Sequence, residues 1–193
     1  MDKVLIFIVG NFLLFVRNTL GCINSPYTAF RSLAKREKAS FQTVFIFLLV
    51  IFYFIFASLI RMGMRSPYLL TVKFNTLFLG SVIGFLGMVL VLYYFGKLAG
   101  GTGKLGTIFT LWSFTLLPTL VWFLATSLLY IFFPPPRTLS VFGKLYSVAF
   151  IIFSLSLFFW KIILYYLTLR FWQKLDFAKI CAVSLVVSLF IVF

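Results

Sequence analysis

Residues 145–169 read LYSVAFIIFSLSLFFWKIILYYLTL, and Lys161 is the only charged side chain among them. As a helix rising 1.5 Å per residue, this stretch would be about 37 Å long, more than the roughly 30 Å hydrocarbon thickness of a bilayer. A helix satisfies its backbone hydrogen bonds internally, as lipid requires. The stretch therefore predicts a transmembrane helix, and it sets the fold class for the rest of the chain.

The remaining sequence contains four more apolar stretches of similar length. Of the 193 residues, 63% are hydrophobic and 10% are charged, whereas soluble domains carry about 25% charged residues. In the last stretch only 14 residues follow Lys179, so we expect it to cross either with the Lys179 amine reaching the interface along its aliphatic stem, or with local thinning of the bilayer, or as part of a longer helix. We predict an all-α, polytopic membrane helical bundle with five transmembrane helices, at residues 42–60, 77–95, 107–133, 145–169 and 178–193.

The first 41 residues predict interfacial amphipathic helices, which divide the chain into an N-terminal region (1–41) and a five-span domain (42–193). Residues 4–20 are apolar but carry small and polar residues on one side of a helix at 100° per residue. We expect this helix to lie in the interface; a cleaved signal peptide is the alternative, although an A-x-A cleavage pattern is missing. The residues of the polar side are Lys3, Gly10, Asn11, Arg17, Asn18 and Gly21.

A second interfacial helix is predicted over residues 26–38. Ser25 supplies a hydroxyl cap and Pro26 suits the first helical position. Phe30 and Leu33 lie on its apolar side, while basic residues on the other side would meet anionic lipid head groups. The predicted head-group contacts on this helix are Arg31, Lys35, Arg36 and Lys38.

The charges also predict an orientation. The chain has 17 Lys and Arg residues against three acidic ones, and its net charge is +14. If the N-terminus is inside, eleven basic residues fall on that side and five on the other. Because cytoplasmic loops are enriched in Lys and Arg, we expect the N-terminus inside and the C-terminus outside. Basic residues placed between apolar spans indicate lipid contact and not nucleic-acid binding.

Few side chains are available for chemistry. The chain has no histidine, its acids are Asp2, Glu37 and Asp176, and its cysteines, Cys22 and Cys181, stand far apart. Acid–base catalysis, nucleophilic triads and metal sites all lack their usual residues. We therefore predict a protein that is not an enzyme, with no catalytic, cofactor-binding or metal-binding residues.

Residues 96–106, GKLAGGTGKLG, connect the second and third spans. They contain GxGxxG, but this motif follows a membrane helix, and the next acid, Asp176, comes about seventy residues later, too far for a ribose contact. We interpret the segment as a tight, flexible cytoplasmic hairpin and not as a nucleotide site. Its glycines are Gly96, Gly100, Gly101, Gly103 and Gly106.

Two features inside the spans predict local structure. Gly80, Gly84 and Gly87 share a face of the second span, where missing side chains allow another helix to approach, either from the same chain or from a second protomer. Pro118 interrupts the third span and frees the carbonyl near Phe114, so we expect a structural kink, with a gating hinge as the alternative.

Lys161 is the one ionisable side chain well inside a span, and the spans contain no carboxylate to pair with it. Charges inside the membrane are expensive and are often functional. Its stem can reach toward the interface, or its amine can make a structural hydrogen bond. The alternative is that Lys161 contacts an anion or a lipid head group.

Together, these motifs resemble the Yip (Ypt/Rab-interacting protein) family. The resemblance covers residues 23–193 and rests on Pro26 with Phe30 four residues later, the hairpin at 96–106, and Pro118 in FTLLP. It implies five spans, a cytoplasmic N-terminus, a luminal C-terminus and no catalytic residues. Eukaryotic members carry a long polar N-terminal region and assist vesicle formation with small GTPases. This sequence shows no such region and looks more like the prokaryotic branch, which implies the cytoplasmic membrane.

Two functions from different classes follow. The first is a non-enzymatic membrane protein of Yip type that organises or shapes the membrane, or recruits partners, by helix packing and interfacial helices. The second is a small transporter or channel for an anionic or lipid substrate. Expected partners are lipids with anionic head groups, and a second copy or another membrane protein. A wet cavity would favour transport if it joined Lys161 to the hydroxyls of Thr110, Ser113, Thr115, Thr119, Thr126, Ser127, Ser154 and Ser156; a dry bundle with an apolar groove would favour the first function.

Overall fold

The computed structural model describes residues 2–35, 40–61, 67–132 and 141–192, and these ranges form eight α-helices without a strand. The predicted all-α fold class is confirmed. In chain order the helices are α1 (Asp2–Asn24), α2 (Pro26–Lys35), α3 (Ser40–Arg61), α4 (Pro67–Leu98), α5 (Leu105–Phe114), α6 (Leu117–Phe132), α7 (Val141–Gln173) and α8 (Phe177–Val192).

Several of these helices are long and apolar enough to cross a bilayer. Four candidate spans occur in the described part of the chain: Leu5–Asn24, Phe78–Leu98, Leu105–Leu129 and Gly143–Gln173. Shorter apolar helices lie at Phe41–Phe56 and Phe177–Val187. A helix therefore stands at each of the five predicted spans, and the multi-pass helical membrane bundle is confirmed. The additional candidate is α1, which the sequence predicted to lie in the interface.

The tightest packing is at the end of the bundle where α3 and α5 begin and where α4 and α7 end. Ile46, Leu92, Ile108 and Leu169 are fully buried there. Most side chains in the opposite half of α7 are exposed, as expected for a surface that faces lipid. Polar side chains are also buried in the bundle; they are Asn18, Gln42, Thr43, Thr110, Ser113, Thr115, Thr168 and Gln173.

Helix α1 lies across the start of α3. The ring of Phe7 packs edge-on against Phe41 with 5.2 Å between centroids, and the Asn18 amide donates to Gln42 Oε1 at 2.7 Å. From Phe7 to Asn18 the axis of α1 advances about 16 Å, whereas their partners on α3 are adjacent residues. Helices that ran side by side would advance together, so α1 crosses α3 at a steep angle.

The two N-terminal helices share one core with the bundle. On α1, Phe15, Asn18 and Cys22 are buried, at the i, i+3, i+7 spacing of a single helix face. On α2, Phe30 and Leu33 are buried, and the helix packs along α7. Helices α1 and α2 are therefore packed onto the rest of the bundle through these faces.

The third span consists of two helices. Thr115 and Leu116 separate α5 from α6, and their amides donate to the carbonyls of Trp112 and Ser113, three residues back, at 3.1 and 3.0 Å. Pro118 lies in the first turn of α6, where its missing N–H leaves no helical hydrogen bond unmade. The expected interruption is therefore present as a turn of i→i−3 hydrogen bonds between α5 and α6, which together form one membrane segment.

Candidate functional site

The glycine-rich connection begins with a helix C-cap. At the end of α4 the amide of Gly101 donates to Gly96 O, and the amide of Gly100 donates to Lys97 O, both at 2.9 Å. This pair of bonds is a Schellman motif. It places Gly100 at φ +88°, a backbone conformation that residues with a Cβ atom rarely adopt. The backbone conformation therefore explains why a glycine stands at position 100.

The rest of the connection closes tightly around the end of α7. A Cβ atom at Gly101 would overlap the Gln173 amide, and one at Gly103 would overlap the Trp172 indole. The Gly103 amide donates to Gln173 Oε1 at 3.1 Å, and Trp172 Nε1 donates to Lys104 O at 2.8 Å. Residues 96–103 therefore form a packed socket, in contrast to the flexible hairpin expected from their composition.

Gly96 and Gly106 differ in what surrounds them. A Cβ atom at Gly96 would lie 2.5 Å from Gln173 Nε2, so this glycine belongs to the socket. A Cβ atom at Gly106 would meet nothing within 4 Å. Gly96, Gly101 and Gly103 therefore pack against Trp172 and Gln173, whereas Gly106 does not.

Lys161 lies on α7 where this helix passes the break between α5 and α6. Its side chain is half-buried, and Nζ donates to Thr119 Oγ1 at 2.8 Å. The neighbouring Trp160 donates from Nε1 to the carbonyl oxygen of Cys22 on α1, at 3.0 Å. The structural hydrogen bond considered for Lys161 is present, and it links α7 to the first turn of α6.

Two cavities meet at Lys161. The smaller, of about 240 Å³, lies between α6 and α7 and includes Thr119 and Ser154 in its lining. The larger, of about 470 Å³, lies among α4, α5, α7 and α8, and its polar lining comes from Thr115, Tyr165 and Ser184. Most other lining side chains are apolar, among them Met88, Trp112, Trp122, Leu157, Phe158, Ile162 and Val187.

A third cavity, of about 140 Å³, is almost wholly apolar. It lies among α3, α4 and α6 and is lined by Phe47, Tyr53, Phe85 and Leu120, with Thr119 at its edge. Thr119 thus lines two cavities and also holds Lys161. Of the eight hydroxyl residues considered from the sequence, Thr115, Thr119 and Ser154 line the cavities at Lys161, and an apolar groove is present as well.

From the sequence, Ser113, Thr115 and Thr119 are possible partners for the carbonyl near Phe114. Ser113 Oγ donates instead to Phe109 O at 2.7 Å, and Thr115 Oγ1 donates to Trp112 O at 2.7 Å. Thr119 accepts from Lys161, as described above. These contacts fix the ends of α5 and α6, and whether Pro118 also acts as a hinge stays a prediction.

The three glycines of α4 face outward. Gly80, Gly84 and Gly87 are exposed, and a Cβ atom at any of them would meet no described atom within 4 Å. Close packing against another helix of the same chain is therefore not found among the residues that the structure describes. Packing against a second protomer stays a prediction.

The predicted head-group contacts fall on and beyond α2. Arg31 and Lys35 are exposed, on the side of α2 away from buried Phe30 and Leu33. Arg36 and Lys38 lie outside the described residues.

Cys22 is buried and Cys181 is exposed, both as free thiols. Within the described ranges, no group of three potential metal ligands is found.

Sequence reasoning missed three contacts that position these elements. They are the hydrogen bond from Asn18 to Gln42, the bond from Trp122 Nε1 to Ser154 Oγ at 2.9 Å, and the filling of the socket by residues 172–173. Polar amides in apolar segments were the available signal for the first, because lipid leaves such groups without partners. The tryptophan contacts gave no comparable signal.

These features define the class of protein: an integral, multi-pass, α-helical membrane protein whose packed end carries polar contacts and a glycine socket. The Yip1 domain model matches residues 20–193, and the chain belongs to this family. The matched region begins in α1 and includes α2, the socket and Pro118. No curated protein and no solved structure is significantly similar to the chain.

Proposed function

We propose that this Yip1 family member is a non-enzymatic protein that organises or shapes the membrane through α1 and α2. The family is not known as a family of enzymes. The observation that carries the proposal is the position of α1 across the start of α3. A helix that crosses a transmembrane helix steeply lies close to the plane of the bilayer.

The exposed surface of α1 supports an interfacial position. Phe12, Leu13, Val16 and Leu20 are exposed although they are apolar, so this surface needs lipid around it. An apolar helix lying in the interface buries its side chains about 5–10 Å deep at the head-group boundary. It adds area to one leaflet only, which favours curvature of the bilayer.

Charge on α2 would hold the same region to anionic lipid. Arg31 and Lys35 point away from the bundle, and each basic residue near an anionic surface contributes about 1 kcal/mol of attraction. Under the predicted orientation, this surface is cytoplasmic. Anionic head groups of the inner leaflet are therefore the proposed partners of α2.

Reconstitution tests this function. Vesicles of phosphatidylcholine and phosphatidylglycerol containing the protein should be smaller or more tubular in cryo-electron micrographs than empty vesicles of the same lipids. The double variant Arg31→Gln, Lys35→Gln should weaken the effect. A matched double variant, Lys144→Gln with Lys179→Gln, removes the same charge elsewhere and should retain it. Vesicles indistinguishable from empty ones would refute a role in membrane shaping.

Transport of an anionic or lipid substrate is the second candidate. It is favoured by the two cavities that meet at Lys161, next to the helix break at Pro118. A fluorescent phosphatidylglycerol placed in one leaflet should then cross faster in vesicles that contain the protein, and slower with Lys161→Met. Equal rates with and without protein would exclude lipid transport.

A further inference from the structure

Within the part of the chain that the structure describes, the Lys161 ammonium has fewer hydrogen-bond partners than a charged amine can use. It can donate three hydrogen bonds, and Thr119 Oγ1 accepts one of them. The acids of the chain, Asp2, Glu37 and Asp176, all lie outside α7, so none stands on the helix beside it. An intramembrane cation is normally paired because an unpaired charge is expensive in lipid.

The larger cavity beside Lys161 has the character of a binding site for an amphiphile. Its volume of about 470 Å³ falls in the range of ligand pockets, roughly 300–1,000 Å³. Apolar side chains dominate the walls, while the hydroxyls of Tyr165 and Ser184 and the Lys161 amine provide a few polar groups. A ligand with a charged group and an apolar chain would match both parts.

This cavity opens sideways toward the lipid. Phe158 and Ile162 belong to its lining, and both are also exposed on the surface of α7. A molecule could enter between them from the bilayer without crossing the aqueous phase. Lipid is therefore favoured over a soluble anion as the occupant.

The depth of Lys161 is compatible with a head group. Helix α7 is 33 residues long, about 50 Å, so it exceeds the hydrocarbon thickness by about 20 Å. Lys161 lies about 18 Å from the end of α7 at Gln173. Trp160, a residue type typical of membrane interfaces, bonds to Cys22 of α1. If α1 lies in the interface, Lys161 lies near the same level; this step rests on the proposed function.

We infer that Lys161 binds the phosphate of an anionic membrane lipid, and that one acyl chain of this lipid occupies the larger cavity, among α4, α5, α7 and α8. Thr119 holds the amine in position, and the charge of the phosphate neutralises it. The lipid enters laterally, past Phe158 and Ile162. Binding at this site does not require transport, so it stands apart from the second candidate function.

Native mass spectrometry tests the site on protein from nanodiscs of mixed phosphatidylcholine and phosphatidylglycerol. The wild-type protein should retain phosphatidylglycerol preferentially, and Lys161→Met should retain it about tenfold less, because a charge-assisted hydrogen bond is lost. Lys161→Arg keeps the charge and should keep the lipid. Lys144→Met, the same change at an exposed position of α7, should have no effect.

Two further arms separate the possible occupants. Ser184→Phe fills the cavity without altering Lys161, and it should also lower lipid retention; this variant keeps the test valid if Lys161→Met does not fold. Inorganic phosphate added in solution should not displace the lipid. Displacement by phosphate would show a site for free anions, and unchanged retention in Lys161→Met or in Ser184→Phe would show that no such lipid site exists. Each result would overturn the inference.

Failure of this site and failure of the proposed function give different results. If α1 is shown to be interfacial and Lys161→Met still retains the lipid, only the site is wrong. If α1 spans the bilayer and retention still depends on Lys161, the shaping function is wrong and the binding site survives at a greater depth.

Discussion

The orientation of α1 can be tested by the membrane depth of its residues, which should differ greatly between an interfacial and a membrane-spanning helix. Ile6, Leu13 and Leu20 are spaced by seven residues, so they lie on nearly the same side of the helix, and they are 69%, 62% and 53% exposed. If α1 lies across the bundle in the interface, spin labels at the three positions should have the same depth within a few ångströms. If α1 spans the bilayer, depth should change by about 21 Å over these 14 residues.

Electron paramagnetic resonance with oxygen and a water-soluble nickel chelate measures this depth. Single-cysteine variants are made in a Cys181→Ser background, because Cys181 is the exposed thiol; Cys22 is buried. The matched control is α7, where Leu145, Ile152 and Phe159 are exposed with the same spacing and should show the full gradient. A gradient on α1 equal to the gradient on α7 would refute the interfacial position and the shaping mechanism built on it.

Two substitutions with one control test the packed end, with unfolding followed by circular dichroism during titration with a denaturing detergent, and a fourth substitution tests the contact between α7 and α1 by spin-label mobility. Gly101→Ala should destabilise the protein by roughly 1–3 kcal/mol or more, since its Cβ has no room, whereas Gly106→Ala should have almost no effect; equal effects would contradict the socket. Asn18→Leu should cost about 0.6–1.7 kcal/mol by removing the bond to Gln42; no loss would mean that this bond contributes little in detergent. Trp160→Phe removes a hydrogen bond to α1, so a spin label on α1 should become more mobile; unchanged mobility would show that other contacts fix this helix.

The positions of the spans could be predicted from the sequence because each depends on a local run of apolar residues. Hydropathy over about 20 residues reports the requirement that lipid imposes on every crossing segment. The orientation of α1 could not be obtained this way. It depends on the pairing of Asn18 with Gln42, 24 residues apart, and α1 is itself apolar enough to be counted as a span.

The glycine-rich segment shows the same limit. Composition correctly indicated a turn between two spans, and the left-handed conformation of Gly100 follows from local helix capping. The reason for Gly101 and Gly103 lies about seventy residues later, in side chains that no local pattern links to them. The contact between Lys161 and Thr119 likewise joins residues 42 positions apart, so the site was visible only as an isolated charge.

The socket around Gln173 also constrains the order in which the molecule is assembled during its synthesis. Gly103 bonds to a residue 70 positions further along the chain. At 5–20 residues per second, a ribosome needs roughly 4–14 s to translate that interval. Throughout this time the glycine segment has been synthesised but the side chains that fill the socket have not. The first spans therefore enter the bilayer before the socket can form. The socket is completed only when α7 has been synthesised and inserted.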